Sequence, residues 1–315
     1  MSHREIALIF PGQGAQSIGM GRELYDNFSE AKAVFESAEA SLPFNLRELC
    51  FEGPKEKLDI TIYTQPCLLT ASIAILEVLR NNGLPRPLFH AGLSLGEYSA
   101  VVASGIMKFE DAVKLVYNRG TFMENAVPDG KGTMAAIIGL DTDLIEEACK
   151  QASLEGIAEI ANYNYSGQIV IGGSVKAVNI AMELCKEKGA KRVVPLSVSG
   201  PFHTSMLKNA ADNLDSYLEN LVFNPWNVPV VSNYTAMPYD RPENIKNLLV
   251  KQVVSPVQWE KSVKYMLSQG VDTFIEVGPG KTLSNFVKRI DKKTTILNVE
   301  DMNSLEKTLK TLEAK

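Results

Sequence analysis

Five residues, Gly92-Leu93-Ser94-Leu95-Gly96, have the G-x-S-x-G spacing that is typical of a serine nucleophile on a sharp turn. An apolar segment precedes them and a helix-forming segment follows, which is the strand–turn–helix setting that the motif requires. The glycines permit the tight turn, and the start of the following helix stabilises developing negative charge. We therefore predict that Ser94 is a nucleophile and that the backbone N–H of Leu95 is an oxyanion donor. The alternative is a serine in an ordinary glycine-containing loop.

A serine hydroxyl needs a base, and the chain has only three histidines, His3, His90 and His203. His3 lies in the N-terminal tail, and His90 lies on the strand that enters the motif, where a side chain packs more often than it reacts. His203 stands in the apparent loop "SVSGPFHTSM" and is the best candidate, although a surface or helix-capping histidine fits that position as well. No acidic residue stands out as its partner. A Ser–His dyad whose tautomer is fixed by a backbone carbonyl is therefore at least as plausible as a triad.

Two further glycine motifs suggest nucleotide binding but lack a required residue. "GQGAQS" begins like the dinucleotide fingerprint but ends on Ser17, and "GPGKT" would need a glycine where Ile275 stands. We do not predict a phosphate site at either. Glycine loops that follow buried strands can instead line a shared cleft, so the first loop is expected to supply a second oxyanion N–H opposite Ser94.

Composition excludes several functional classes. The chain has 315 residues, 45% of them hydrophobic, and a net charge of −5, which gives no basic footprint for nucleic acid. The apolar run Ile6–Phe10 is too short for a signal sequence, and no other stretch is expected to be long enough to cross a membrane. The four cysteines are scattered without a CxxC, which indicates neither a zinc site nor a disulfide framework. We predict a cytoplasmic protein with reduced thiols.

Alternating strand and helix patterns predict an α/β fold with a parallel sheet. Buried-strand patterns occur at 5–10, 86–92, 228–235 and 273–280, and helices are expected at about 22–42 and from Thr64 to Gly83. Residues 128–198 instead read strand, helix, two strands, helix, strand, which is the ferredoxin-like βαββαβ order. We therefore predict a core formed by 1–127 and 199–315 with an inserted ferredoxin-like subdomain at 128–198.

Seven motifs in order carry a resemblance to a known family. They are "FPGQGAQ", "TQPCLL", "GLSLGEYSA", "NRGTFM", "GPFHTSM", "SPVQW" and "EVGPGKTL". Together they resemble the malonyl-CoA:acyl carrier protein transacylase family over nearly the whole chain. The resemblance implies a hydrolase-like parallel-sheet core with a ferredoxin-like insertion. It also implies transfer of malonyl from malonyl-CoA to the phosphopantetheine thiol of acyl carrier protein, through a malonyl-serine ester, for fatty-acid synthesis and without a metal or other cofactor.

The resemblance also implies roles for particular residues. Ser94 would attack the malonyl thioester, and His203 would take its proton and later activate the carrier thiol. The N–H of Gln13 would join that of Leu95 in the oxyanion hole. Arg119 would hold the malonyl carboxylate with its planar fork. The backbone carbonyl of Gln252 would orient His203, which would explain the missing acid. Without the resemblance, Arg119 would be read as a surface charge and the two glutamines as ordinary polar residues.

Three more positions are expected beside the nucleophile or at the cleft. The family usually reads Gly-His-Ser-x-Gly, whereas Leu93 stands here in place of that histidine, which is expected to alter packing or acyl preference rather than mechanism. Phe202 matches the version of the motif in malonyl-selective enzymes and would crowd a 2-methyl branch, with a gain of roughly 1–3 kcal/mol. Asn162 is expected to face the cleft from the small subdomain.

Other functions remain open at this point. The same serine would serve an acyl-thioester hydrolase, and a free-standing chain suits a trans-acting malonyl loader of a polyketide synthase as well as fatty-acid synthesis. A non-catalytic module that docks acyl carrier protein is a third hypothesis. We also expect a monomer, because no coiled coil or obvious apolar patch can be read from the sequence.

Overall fold

The structure is a computed structural model that describes residues 4–314. Its strands are β1 (Ile6–Phe10), β2 (Phe89–Gly92), β3 (Gly132–Ile138), β4 (Ala158–Tyr165), β5 (Gln168–Ser174), β6 (Arg192–Pro195), β7 (Val230–Val231), β8 (Thr273–Val277) and β9 (Thr295–Val299). Its helices are α1 (Arg22–Asn27), α2 (Ser29–Ala40), α3 (Leu46–Phe51), α4 (Lys55–Leu58), α5 (Thr61–Asn81), α6 (Leu95–Ala103), α7 (Phe109–Ala126), α8 (Thr142–Ala152), α9 (Val175–Glu187), α10 (Lys208–Leu218), α11 (Pro242–Val253), α12 (Trp259–Ser268), α13 (Thr282–Ile290) and α14 (Met302–Glu313).

The first sheet is parallel, with the strand order β7-β2-β1-β8-β9. Its central strand β1 is buried along its whole length because helices cover both faces. Ile6, Leu8 and Phe10 pack into one apolar core, and Ala7 and Ile9 pack into a second core on the opposite face. The carboxyl ends of β1, β2 and β8 meet at one edge, which is where parallel α/β sheets build their sites.

The second sheet is antiparallel, with the strand order β4-β5-β3-β6. Its strands and the helices α8 and α9 follow one another as βαββαβ, and they enclose a separate apolar core. Numbered within this unit, the order is 2-3-1-4, which is the ferredoxin-like arrangement. The predicted fold class is confirmed, and the exact boundaries at 127/128 and 198/199 stay a prediction.

Two predicted helices differ from the observed ones. The stretch at 22–42 forms two helices, because Phe28 adopts an extended backbone (φ −130°, ψ 125°) between α1 and α2. Helix α5 begins at Thr61 rather than at Thr64, so Pro66 lies inside the helix instead of in its first turn. The proline removes one backbone donor, and packing of a helix that is buried almost throughout offsets that loss.

Helix α5 also corrects the expectation about membrane-spanning segments. It has 21 residues and is apolar enough to cross a bilayer by length and composition, so the statement that no stretch is long enough is wrong. In this fold, 83% of its apolar window is buried inside the protein. It packs against α2, α6 and α7, as a core helix does.

Candidate active site

Ser94 occupies the sharp turn between β2 and α6, with a strained backbone at φ 54° and ψ −104°. The flanking glycines are needed because no side chain fits at either place. A Cβ on Gly92 would lie 2.0 Å from the carbonyl of Gly96, and a Cβ on Gly96 would lie 2.0 Å from the carbonyl oxygen of Phe10. The predicted strand–turn–helix setting is therefore observed, and the turn holds the Ser94 hydroxyl at the carboxyl edge of the sheet.

The Ser94 hydroxyl contacts His203, whose Nε2 lies 2.7 Å from Oγ. The other ring nitrogen, Nδ1, lies 2.8 Å from the backbone carbonyl oxygen of Gln252. Because a carbonyl only accepts, Nδ1 carries the proton and Nε2 is the acceptor for the serine hydroxyl. The structure thus brings together a serine–histidine dyad that is oriented by a carbonyl rather than by an acid.

The His203 ring is buried and neutral. Burial lowers its pKa to about 4, and the positive charge of Arg119 acts in the same direction. Backbone hydrogen bonds at Gln252 and Ser255 oppose this shift but do not cancel it. At neutral pH the imidazole is therefore unprotonated, which is the form that a general base requires.

Arg119 projects from α7 into the same site and is 1% exposed. Its Nη1 donates to Gln65 Oε1 at 2.8 Å, and its Nη2 lies 3.0 Å from Gln252 Oε1 and 3.3 Å from Ser94 Oγ. The guanidinium lies over the Tyr98 ring, 5.1 Å from its centroid. Within residues 4–314 these partners are neutral and no carboxylate forms an ion pair with Arg119. A buried cation that no carboxylate bonds directly suits an anionic ligand.

Two backbone N–H groups flank the serine. Leu95 is the first residue of α6, Gln13 lies in the loop after β1, and both residues line the cleft. In the described part of the chain, neither N–H is bonded to an acceptor, whereas the Gln13 side chain donates to Thr61 Oγ1 at 3.2 Å. Both N–H groups are thus free to donate to an oxyanion.

The cleft over the dyad has a volume of about 230 Å³ and lies between the two sheets. Phe202 and Asn162 both line it, the latter from β4, and so does Leu93. Its remaining wall is largely apolar, with side chains from Met123, Met134, Val170, Leu196, Val198 and Phe286. Every predicted site residue therefore lies at the cleft or, for Gln252, directly beneath it. His90 instead packs against Phe10 with Nδ1 2.9 Å from Ser104 Oγ.

Three polar residues of the site are absent from the sequence predictions. Asn233 holds the turn, because its Oδ1 accepts from the Ser94 N–H at 2.6 Å and its Nδ2 donates to the Gly92 carbonyl at 2.6 Å. Gln65 fixes the Arg119 guanidinium. Glu97 is a fully buried carboxylate beneath the turn. A usable signal exists only for Asn233, which follows a buried strand at the carboxyl edge of the sheet.

The fold and site define a class of serine-dependent acyl-transferring proteins. Residues 7–310 match the acyl transferase domain family, and the chain belongs to that family. Two similar relatives are the malonyl CoA-acyl carrier protein transacylases of Bacillus subtilis and Escherichia coli K12. The first is 46% identical over 310 residues, covering 98% of each chain, and the second is 46% identical over 286 residues, covering 91% and 93%. The chain is therefore a member of the malonyl CoA-acyl carrier protein transacylase family.

Solved structures agree with this assignment. The malonyl CoA-acyl carrier protein transacylase of Clostridium perfringens is 47% identical, with a TM-score of 0.95 over 98% of this chain and 97% of that one. A malonyl-transacylase solved in complex with a type II PKS acyl-carrier protein is 41% identical, with a TM-score of 0.95 over 98% and 99%. Both share the mixed α/β architecture described above.

Proposed function

We propose that the protein transfers malonyl from malonyl-CoA to the phosphopantetheine thiol of acyl carrier protein, through an ester on Ser94. The observation that carries this proposal is Arg119, a buried cation whose side-chain hydrogen-bond partners Gln65, Gln252 and Ser94 are neutral and whose Nη2 lies 3.3 Å from the nucleophile Oγ. A malonyl group has a carboxylate one carbon away from the thioester carbonyl, so its two ends match the arginine and the serine. The names of the relatives support the same substrate and partner.

The first half-reaction acylates the serine. His203 Nε2 takes the Ser94 hydroxyl proton while Oγ attacks the thioester carbonyl. The N–H groups of Leu95 and Gln13 stabilise the oxyanion. As the intermediate collapses, the C–S bond breaks and the CoA sulfur leaves with the proton from His203. Arg119 holds the malonyl carboxylate throughout and restricts the acyl group to one orientation.

The second half-reaction reverses these roles. The carrier thiol gives its proton to His203 Nε2 and attacks the malonyl ester. When the C–O bond breaks, the proton returns to Ser94 Oγ and the enzyme is regenerated. No step needs a metal ion, a nucleotide or another cofactor.

A basic surface beside the cleft supports an acidic carrier as the acceptor. Lys288, Arg289 and Lys292 line a depression at the end of α13 that shares Phe286 with the active-site cleft. The whole chain carries a net charge of −5, so this local concentration of positive charge departs from the overall balance. Complementary charge steers association of the partner and orients it. We infer that the carrier docks there and delivers its thiol past Phe286.

We propose a role in fatty-acid synthesis, in the cytoplasm and as a monomer; the names of the relatives support the malonyl-transfer activity. A trans-acting malonyl loader for polyketide synthesis is the second candidate. It is favoured by the 41% identical malonyl-transacylase, which was solved with a type II PKS carrier. Comparing purified carriers of both kinds as acceptors distinguishes the two.

The decisive experiment is intact mass spectrometry after brief mixing with malonyl-CoA. We expect a malonyl-sized increase on the wild type and none on Ser94→Ala. Addition of acyl carrier protein should then remove the increase from the enzyme and place it on the carrier. Loss of the adduct to water at the same rate without the carrier would replace the transferase with a hydrolase. Absence of any adduct, without release of CoA, would overturn the proposed donor.

A further inference from the structure

One buried carboxylate takes no part in the chemistry proposed above. Glu97 lies in the first turn of α6, three residues after the nucleophile, and is fully buried. Its Oε1 accepts from the Tyr239 hydroxyl at 2.5 Å. Its Oε2 accepts from Gln252 Nε2 at 2.7 Å and from the Asn233 N–H at 3.1 Å. A buried carboxylate is costly unless it is paired or bonded in this way, so its retention here calls for a role.

The bond to Asn233 connects Glu97 to the nucleophile. The backbone N–H of Asn233 is held by the carboxylate, and its side chain bonds both the Ser94 N–H and the Gly92 carbonyl, each at 2.6 Å. The strained backbone of the turn is thus stabilised by a residue whose own position depends on Glu97. Strain of this kind persists only where surrounding contacts determine it.

The bond to Gln252 connects the same carboxylate to the base and to the arginine. The Gln252 backbone carbonyl orients His203, and its Oε1 accepts from Arg119. Its Nε2 donates both to Glu97 and to the Ser94 carbonyl, at 2.7 and 2.9 Å. Because the carboxylate only accepts, it forces the amide to present its NH₂ to Glu97 and its oxygen to Arg119.

The environment of Glu97 contains opposing electrostatic contributions. Burial raises the pKa of Glu97 overall, although the hydrogen bonds from Tyr239, Gln252 and Asn233 and the charge of Arg119 act in the opposite direction. The bonds from Gln252 and Asn233 come from groups that can only donate, so they favour the ionised carboxylate as the acceptor. The buried charges of Glu97 and Arg119 also lie within electrostatic reach of each other.

We propose that Glu97 is a positioning residue whose carboxylate sets the alignment of Ser94 and His203 together, through Asn233 and Gln252. This inference rests on the proposed function only in that Ser94 is the nucleophile and His203 is its base. Its test therefore uses readouts that do not require malonyl-CoA.

The variant Glu97→Gln tests the proposal because it keeps the shape but places an amide against the donors. We expect a fluorophosphonate probe, which reacts with activated serine hydroxyls, to label Ser94 on the order of 10- to 100-fold more slowly than in the wild type. The chain has only three histidines, so ¹⁵N-histidine labelling gives few ring signals. We expect the His203 signals to leave the Nδ1–H pattern in the variant while the His90 signals stay unchanged.

Glu276→Gln is the matched control. Glu276 is also fully buried and accepts from backbone N–H groups, those of Leu283 at 3.1 Å and Ser284 at 2.7 Å, but it bonds neither member of the dyad. This control should lose thermal stability without moving the His203 signals.

Three outcomes bear on the result. A folded Glu97→Gln protein with wild-type labelling and unchanged His203 signals overturns the proposal. Should that variant not fold, Tyr239→Phe carries the test, since it removes one donor from the same carboxylate. A smaller shift of the His203 signals in it supports the role, and none overturns it. Normal labelling of a wild type that malonyl-CoA fails to acylate would instead contradict the proposed donor and leave Glu97 unaffected.

Discussion

At the scale of single residues, the site depends on residues that each contact two other members of the site. Gln252 orients His203 with its backbone carbonyl and accepts from Arg119 with its side chain. Arg119 in turn lies between that amide and the Ser94 hydroxyl. A substitution at such a residue can therefore affect substrate recognition and nucleophile activation together. The two effects are separated by also measuring acylation with a substrate that lacks the carboxylate.

Replacing the arginine provides that separation. We expect Arg119→Ala to lower the rate of malonyl loading from malonyl-CoA by about 100-fold or more, because loss of a buried, charge-assisted contact costs about 3 kcal/mol. Acetyl loading from acetyl-CoA should fall far less, since acetyl has no carboxylate to hold. Acyl-enzyme formation with each donor, followed by mass spectrometry, gives the ratio. An equal fall with both donors would show that Arg119 does not recognise the carboxylate.

The low pKa of His203 makes a prediction about pH. Acylation of Ser94 should be nearly constant above about pH 5 and should fall as the pH drops through about 4, because the protonated ring cannot accept the serine proton. Rapid-quench acylation at each pH measures this profile. An acid limb centred near the usual histidine value of 6.5 would contradict the buried, neutral ring.

The same pKa shifts make the free energy of unfolding depend on pH. Stability is therefore measured at each pH alongside acylation. Burial lowers the folded-state pKa of His203 to about 4 and that of His90 to about 3, below the value of about 6.5 expected in the unfolded chain. The unfolded state then binds more protons below pH 6.5. The free energy of unfolding contributed by these rings is fully present above pH 6.5 and is lost as the pH falls toward 4 and then 3.

At the scale of elements, the strand–turn–helix unit around Ser94 is specified by close backbone contact. Gly96 lies in the first turn of α6 against the carbonyl of Phe10, which is the last residue of β1. The helix thus begins directly on the central strand, and its N-terminus comes close to the cleft. Nothing larger than a hydrogen fits between them.

Gly96→Ala tests that contact, because the contact determines whether the substitution raises or lowers the stability of the protein. An alanine in an exposed helix would stabilise the protein by roughly 1 kcal/mol relative to glycine. Here the added Cβ would meet the Phe10 carbonyl at 2.0 Å, so we expect destabilisation instead, together with loss of Ser94 acylation. Chemical denaturation and adduct formation measure the two effects. A stabilised, active variant would show that α6 can move away from β1.

The elements also show which features the residues alone can predict. Ser94 and the strand–turn–helix setting follow from local spacing, and His203 follows from the small number of histidines. Arg119 and Gln252 are predicted as site residues only by resemblance, because helix periodicity does not indicate that two residues on separate helices reach the same site. Gln65 and Glu97 lie 54 and 155 residues from the partners that define them, and no local pattern encodes such contacts. Asn233 lies 139 residues from Ser94, and only its place after a buried strand gives a signal. The sequence patterns do not predict β9, because three of its five residues are only partly buried.

At the scale of the whole molecule, charge is distributed unevenly. The chain is acidic overall, yet the depression beside the cleft is lined by Lys288, Arg289 and Lys292. An acidic partner should be repelled by most of the surface and attracted to this part. Salt weakens such attraction because, at physiological ionic strength, ions screen exposed charges that are more than about 8–10 Å apart.

Reversing the charge of residues in the depression tests whether acyl carrier protein docks there. We expect Lys288→Glu combined with Arg289→Glu to raise the KM for acyl carrier protein about 10-fold or more at low salt, with little change in malonyl-enzyme formation. Lys32→Glu combined with Lys150→Glu changes the net charge equally at two exposed lysines outside the depression, and should have a much smaller effect. Equal effects of the two pairs would indicate a general charge effect rather than a docking site.

The segment between α11 and α12 bonds β4 of the second sheet through its main chain. Val257 forms a parallel bridge with Asn162, its N–H donates to the Ala161 carbonyl at 2.9 Å, and its carbonyl accepts from the Tyr163 N–H at 2.9 Å. The Val257 segment follows α11, and Gln252 lies in the last turn of that helix. The position of β4, which carries Asn162 at the cleft, is therefore held by peptide groups. Substituting side chains can change the lining of the cleft. Widening the cleft for a bulkier acyl group requires a change in the main-chain segment at Val257 itself.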